Sequence, residues 1–266
     1  MKIMDTVVEN WPVALFNKSV LKQRKLKEIT TLLGKTDSLM CLDIGSDNGV
    51  ISYLLRQRGG FWKSADLDEG AVCSIRELVK SDVFQINGLQ TPFEDNEFDR
   101  VVIVDFLEHI ATDREFIDEL FRIMKPRGEL IINVPHIKNG LLRQFRLSIG
   151  QTDEKHGHLR PGYTTEEIRS LLGSNFTLTS YKTYSKFFSE FIDTLITFGY
   201  GILKGSDYEG SKKGVFVTGS DIEERYKGLF KIYSLIYPVV WFFSKLDLLL
   251  FFQSGYMLIL KARVNK

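Results

Sequence analysis

Residues 41–52 read CLDIGSDNGVIS, and this stretch contains the turn that decides the fold. The apolar run that ends at Asp43 and Ile44 is short and bounded by turn residues, which is typical of a buried strand. Gly45 follows it, and Gly49 opens residues 49–60, GVISYLLRQRGG, which have the pattern of a helix closed by glycine. A buried strand that turns through glycine into a helix predicts the first unit of an alternating α/β fold.

The same alternation continues as far as Pro135. Residues 69–80 and 113–128 have helical patterns, and the second helix is predicted to carry Lys125 in its last turn, with Pro126 and Gly128 just past it. The further strand patterns are FWKSADLD (61–68), DVFQING (82–88), Arg100–Val104 and GELIINVP (128–135). This order predicts an α/β fold built on a doubly wound, mostly parallel sheet with helices on both faces.

Two later strand patterns lie far apart in the chain. They are FTLTSYKTYS (176–185) and GYMLILKARV (255–264), and a long aromatic, helix-like segment separates them. We therefore expect one domain over 1–266 with a helical insertion between the last two of seven strands. Its parts are an N-terminal helical segment (1–38), a core (39–185), the insertion (186–253) and a last strand (254–266).

Composition excludes several classes of protein. The chain has 266 residues, is 44% hydrophobic and carries a formal charge of +1, so no global field attracts nucleic acid. Cys41 and Cys73 suggest a reducing compartment rather than a disulfide framework, and no signal peptide is evident. The apolar run 229–243 is too short and too interrupted to span a bilayer. We expect a cytoplasmic protein.

Acidic side chains stand where parallel strands end, which is where such sheets bind ligands. Asp66 closes the second strand, about twenty residues after the glycine turn, and a carboxylate there can accept hydrogen bonds from both hydroxyls of a ribose. Asp68 is expected to cap the following helix instead. The pattern predicts a nucleoside site at this edge.

Four segments in order, LDIGSDNGVIS (42–52), ADLDEGAV (65–72), INGLQTPFEDNEFDRVVIVDFLEHI (86–110) and MKPRGELIINVP (124–135), resemble class I S-adenosylmethionine-dependent methyltransferases of the type 11 group. That group includes relatives of the ubiquinone-biosynthesis O-methyltransferases. The resemblance covers roughly residues 39–185 and implies a Rossmann-like fold with the glycine loop against the methionine part of S-adenosylmethionine. The implied cofactor residues are Asp43, Gly45, Ser46, Gly49, Asp66, Leu67, Asn87, Gly88 and Asp105.

Two positions depart from that resemblance. Asp47 replaces the usual middle glycine of the loop, and Asn87 replaces the acid that often meets the adenine amino group, although an amide oxygen can still accept that bond. Asp47 also argues against a nicotinamide cofactor, because its carboxylate would face an anionic pyrophosphate. A sulfonium cofactor has no phosphate, so charge favours methyl transfer.

Histidines follow the strands that carry this edge. His109 is the leading candidate for a general base and His136 the second, should the methylated atom be a hydroxyl oxygen. The segment 156–167 resembles one that closes over the active site, so His158, Arg160 and Tyr163 are predicted to bind the acceptor. His156 and His158 alone make a poor zinc set, and we predict no metal.

The insertion leaves three interpretations open. Its aromatic residues could be extra core, a cap that lines an apolar acceptor pocket, or a surface for a membrane or a second copy. The basic run Lys22–Lys25 predicts a solvated helix face, or alternatively a guide for an anionic substrate or lipid headgroup. The predicted function is O-methylation of a small or lipid-like acceptor. The alternative is a non-catalytic binding protein that retains the fold.

Overall fold

The computed structural model describes residues 11–138, 140–150, 157–204 and 220–266. Residues 1–10 of the N-terminal segment and 205–219 of the insertion therefore lie outside the described residues. The strands are β1 Met40–Ile44, β2 Phe61–Asp66, β3 Val83–Gln85, β4 Phe98–Val104, β5 Met124–Pro135, β6 Phe176–Tyr184 and β7 Met257–Val264.

These strands form one seven-stranded sheet in the order β3-β2-β1-β4-β5-β7-β6. Strands β1 to β5 run parallel, whereas β7 pairs antiparallel with both β5 and β6. The predicted doubly wound, mostly parallel sheet is confirmed. The strand order reverses between β1 and β4, and a crevice at such a switch point is where open α/β sheets bind ligands.

The helices are α1 Trp11–Phe16, α2 Val20–Leu33, α3 Val50–Arg56, α4 Glu69–Val79, α5 Asp113–Ile123, α6 Leu141–Ser148, α7 Thr165–Leu172, α8 Phe187–Lys204 and α9 Ser220–Lys245. Helices α8 and α9 lie between β6 and β7, where the insertion was predicted. They pack against each other and against α1 and α2, while α6 contacts α8. The insertion and the N-terminal helices therefore form one helical layer.

The prediction that Lys125 lies in the last turn of the helix after β4 is wrong. Helix α5 ends at Ile123, and Lys125 lies in β5, where its ammonium contacts Asp99 at 2.8 Å. Met124 is fully buried and pairs with Phe98 of β4. Met124 and Lys125 form strand because β5 pairs with β4 across the sheet. Local periodicity does not reveal that pairing.

Both faces of the sheet are covered by apolar side chains. Val101 and Ile103 of β4 belong to one buried cluster, whereas Val102 and Val104 belong to another. Because successive side chains of a strand point to opposite faces, these two clusters lie on the two sides of the sheet. This explains why the central strands read as continuous apolar runs rather than alternating ones.

Candidate active site

The Asp43 carboxylate lies beneath the loop that follows β1. It is fully buried, and it accepts hydrogen bonds from the hydroxyls of Ser46 and Ser64 at 2.7 Å and from Ser52. Arg56 adds a contact at 3.4 Å. A buried carboxylate needs such partners to offset its lost hydration. Both side chains are turned inward and hold the loop in place, and the predicted contact of Asp43 and Ser46 with a cofactor stays a prediction.

The loop itself depends on three left-handed residues. Gly45 has φ +84°, and a Cβ there would lie 2.3 Å from the Val104 carbonyl oxygen, so only glycine fits. Gly49 has φ +76°, and a Cβ there would lie 2.7 Å from the Cα of Ile75 in α4. Asp47 has φ +53° and takes the conformation that a middle glycine would take, which aspartate tolerates better than most residues. Because neither glycine has a side chain, the loop can pack directly against Val104 and Ile75.

Asp66 at the end of β2 is joined to this loop. Its carboxylate is only 2% exposed and accepts hydrogen bonds from the backbone amides of Leu67 at 2.8 Å and Asp47 at 3.3 Å. The predicted loop and the predicted ribose acid therefore meet at one place. Asp68 accepts from the Ala71 amide at 2.9 Å and caps α4, as predicted.

The turn after β3 places Asn87 and Gly88 beside Leu67. The Asn87 oxygen accepts hydrogen bonds from the Leu89 amide at 3.0 Å and the Gln90 amide at 2.9 Å. The oxygen expected to accept from adenine is therefore already used by its own turn, which is a correction. A Cβ on Gly88 would lie 2.8 Å from Ile110 and 3.3 Å from Leu67, so this glycine permits close packing.

Asp105, at the end of β4, forms an ion pair with Lys25 of α2. It also accepts a hydrogen bond from the Asn133 side chain at 2.8 Å. Burial by itself lowers the pKa of Lys25, but the Asp105 charge opposes this and the net effect raises that pKa. Lys25 is thus not part of a solvated face. It brings a cation to the edge of the sheet.

The segment after β4 and the segment around His158 bring three candidate metal ligands together. Glu108 is fully buried, and one ligand atom each from Glu108, His109 and His158 lies within 4.8 Å of the others. His109 Nδ1 lies 2.9 Å from the Gly157 carbonyl oxygen, which can only accept, so this nitrogen carries the proton. The prediction of no metal was based on His156 and His158, and it did not include Glu108 and His109. His156 lies outside the described residues.

His136, just beyond β5, faces a different space. Its Nδ1 lies 2.9 Å from the Gly255 carbonyl oxygen, so Nδ1 again donates and Nε2 is left as the basic nitrogen. An open cavity of about 950 Å³ borders His136 and His158. Its other lining residues are Pro135, Lys138, Arg143, Arg146, Leu147, Pro161, Glu190, Tyr256 and Met257.

Arg160 and Tyr163 hold the segment that carries His158. Tyr163 is fully buried, and its hydroxyl lies 3.0 Å from both Asp113 and the Leu107 carbonyl oxygen. Burial and the nearby Asp113 charge raise the pKa of that hydroxyl, so it stays protonated. Arg160 contacts Asp113 at 2.7 Å. Neither residue lines the cavity described above, and their assignment to the acceptor stays a prediction.

Sequence reasoning missed the cationic wall of this cavity. Arg143 and Arg146 are three residues apart on α6 and so share a face of that helix. Lys138 lies before α6, and its ammonium contacts the Tyr256 ring at 4.5 Å. The spacing of the two arginines was a usable signal, but the mixed character of residues 136–163 concealed the helix.

A family model described as a methyltransferase domain matches residues 42–132. These residues include the loop after β1, Asp66, strands β2 to β4 and most of β1 and β5. Residues 42–132 of the chain thus resemble a methyltransferase domain. The glycine loop and the ribose acid that we derived from the sequence both fall within its matched residues.

Two curated relatives resemble part of this methyltransferase domain. The demethylmenaquinone methyltransferase of Clavibacter sepedonicus is 32% identical over 95 residues, which are 34% of this chain and 39% of the relative. The ubiquinone biosynthesis O-methyltransferase of Pseudomonas paraeruginosa is 30% identical over 119 residues, or 42% of this chain and 50% of the relative. The match thus spans half or less of each relative.

The whole fold has solved counterparts. The N-methyltransferase NodS of Bradyrhizobium japonicum, solved with S-adenosyl-L-homocysteine, superimposes with a TM-score of 0.53 at 12% identity. The match covers 95% of this chain and 91% of NodS. At this identity the likeness concerns the fold of the methyltransferase domain and its added helices.

Proposed function

We propose that the chain is an S-adenosylmethionine-dependent methyltransferase that methylates an oxygen of a lipid-like acceptor. The observation that carries the proposal is the junction of Asp66 with the Asp47 amide. It places a carboxylate suited to ribose hydroxyls directly beside the loop between β1 and α3. The matched family model covers this junction completely.

The chemistry of the edge suits this cofactor. Its carboxylates are Asp47, Asp66 and Asp105, and Asp105 is paired with Lys25. Such an edge disfavours a pyrophosphate and accepts a positively charged sulfur. When bound, the cofactor supplies a methyl group on a sulfonium, which is already a good leaving group.

His136 supports the proposal as the general base. It lies on the cavity, and its Nδ1 contact with Gly255 leaves Nε2 to take the proton of an acceptor hydroxyl. A positioned base of this kind contributes typically about 10²–10⁴-fold. The Nδ1 of His109 likewise donates to the Gly157 carbonyl oxygen, but His109 does not line the cavity. We therefore rank His136 above His109, the reverse of the order taken from sequence.

The cavity also supports an acceptor with two kinds of surface. Leu147, Tyr256 and Met257 provide apolar area. Lys138, Arg143 and Arg146 provide positive charge opposite one acid, Glu190. An amphiphile that carries an acidic group next to the methylated oxygen matches both. This is more specific than the apolar acceptor expected from the aromatic composition alone.

The first experiment is calorimetric titration with S-adenosylmethionine and S-adenosylhomocysteine. We expect both to bind, and Asp66→Ala to weaken binding by at least tenfold, because a charge-assisted hydrogen bond contributes about 1.5–3 kcal/mol. Asp68→Ala is the matched control: it removes the cap of α4 and should lower stability without changing affinity. Equal affinity in wild type and Asp66→Ala contradicts the proposal.

The same titration tests the alternative function. A binding protein that retains the fold but not the chemistry should give no heat with either nucleoside. Two features favour keeping it as the second candidate: the left-handed Asp47 in the loop and the Asn87 oxygen engaged in its own turn.

A further inference from the structure

The C-terminal half of the insertion exposes a continuous apolar ridge. On α9 the exposed apolar residues are spaced by three or four positions, so they share one face of the helix. Leu235 is 81% exposed and Phe251, after the helix, is 83% exposed. The ridge consists of Ile232, Leu235, Val239, Phe242, Leu248, Leu249, Phe251 and Phe252. Side chains of this size exposed together indicate an interaction surface.

The single acid within this stretch points away from the ridge. Between residues 230 and 253 the chain carries two lysines, Lys231 and Lys245, and one acid, Asp247. The Asp247 carboxylate accepts hydrogen bonds from the backbone amides of Lys186 at 2.8 Å and Phe188 at 2.9 Å, at the start of α8. Its charge is therefore directed into the protein, whereas both lysines are exposed.

A cationic groove runs along the ridge. It lies between α2 and the end of α9, and Trp241, Leu248 and Phe251 form its apolar side. Its basic residues are Arg24, Lys27, Lys186 and Lys245. Arg24 is paired with Glu28 at 2.6 Å, and Lys245 lies 4.7 Å from the Trp241 ring centre. Lysine beside tryptophan is the combination that membrane interfaces favour.

We propose that this face docks onto a bilayer surface that contains anionic phospholipid. The ridge enters the boundary between headgroups and acyl chains, and the groove holds a phosphate headgroup beside Lys27 and Lys245. Within residues 11–138, 140–150, 157–204 and 220–266, no helix is long and apolar enough to cross a membrane. The contact is therefore made by an interfacial surface that lies on the leaflet.

The test is co-sedimentation of the full chain with phosphatidylcholine vesicles, with and without phosphatidylglycerol. We expect binding that phosphatidylglycerol strengthens and salt weakens. The double variant Phe251→Ser, Phe252→Ser should lose at least tenfold in partitioning, because each phenyl ring leaves the acyl boundary. Phe61→Ser is its control, since Phe61 is 63% exposed on β2, far from the insertion in the sheet order.

A second pair of variants separates charge from apolar contact. Lys27→Gln with Lys245→Gln should reduce the preference for phosphatidylglycerol by about fivefold or more, since each lysine near an anionic surface contributes about 1 kcal/mol. Lys35→Gln, an exposed lysine beyond the end of α2, should leave it unchanged. All three lysines are exposed, and an unchanged melting temperature confirms that each variant is folded.

Three results overturn the proposal. They are no vesicle binding by the wild-type chain, equal losses in the Phe61 and Phe251–Phe252 variants, and a dimer in light scattering that the Phe251–Phe252 variant dissolves while vesicles remain unbound. The last result assigns the ridge to a second copy of the chain. Titration of S-adenosylhomocysteine into the same variants should show unchanged affinity, so failure here is distinct from failure of the proposed activity.

Discussion

The backbone amide of Asp47 donates a hydrogen bond to the Asp66 carboxylate across 3.3 Å, and so ties the first loop to the end of the second strand. Asp47 lies in the loop after β1 and Asp66 is the last residue of β2, and the carboxyl ends of these neighbouring parallel strands meet at one edge. Asp47 can make this contact because its backbone is left-handed. Its conformation, more than its charge, therefore gives the residue its place in the site.

The first prediction concerns that conformation. Asp47→Ala should destabilise the fold by about 1 kcal/mol, because alanine tolerates the left-handed region less well than aspartate. Asp47→Gly should keep the free energy of unfolding within about 0.5 kcal/mol of wild type, since relief of the backbone offsets the added freedom of the unfolded chain. Urea denaturation measures both, and equal losses would show that the side chain, not the backbone, matters.

The second prediction concerns the buried carboxylate. Asp43→Ala should lower the free energy of unfolding by about 3 kcal/mol or more, because the Arg56 charge and the serine hydroxyls would lose their shared acceptor. Ser52→Ala should lose only about 1 kcal/mol, since one of several donors is removed. Chemical denaturation distinguishes them. Asp43→Ala as stable as wild type would contradict the assigned role.

The third prediction concerns pH. Burial, opposed by Arg146, raises the pKa of Glu190 to about 7. Because this folded-state pKa lies above the unfolded value of about 4.3, the unfolded chain releases the proton first. Stability should therefore fall as pH rises from about 4 to 7, by about 4 kcal/mol at most, and change little from this group above that range.

Glu190→Gln tests this assignment, because glutamine fills the same space without titrating. In this variant most of the fall in stability between about pH 4 and 7 should be absent. The variant should be more stable than wild type at pH 8, as measured by denaturation at a series of pH values. Glu166→Gln, at an exposed position in α7, is the matched control and should retain the wild-type profile.

The fourth prediction separates structural from acceptor-binding roles in the segment around His158. Tyr163→Phe removes a buried hydroxyl that contacts Asp113 and the Leu107 carbonyl, and should destabilise the fold by about 1–2 kcal/mol. Its affinity for S-adenosylhomocysteine should remain at the wild-type value. If thermal melting were unchanged while turnover on an acceptor fell, the original assignment of Tyr163 to the acceptor would be supported.

Much of the fold was predictable because its signals are local. Short apolar runs bounded by glycine predicted the strands of the parallel sheet, and cap residues predicted individual helix starts. Asp68 at the start of α4 and Thr164 at the start of α7 both accept the amide bonds expected of helix caps. The position of Asp66 at a strand end was equally local. The error at Lys125 arose where pairing with β4 overrode the helical pattern.

The amino-acid order by itself determined the α/β alternation and the placing of the loop and Asp66 at one sheet edge, because both depend on periodicity and on strand direction. Tertiary structure alone decided which polar residues face that edge. Asp43 was turned beneath the loop, Lys25 was joined to Asp105 across 80 positions of sequence, and Asp247 was turned inward to leave the ridge apolar. The physical reason is that a side chain's environment depends on neighbours supplied by distant segments, and only packing brings those segments together.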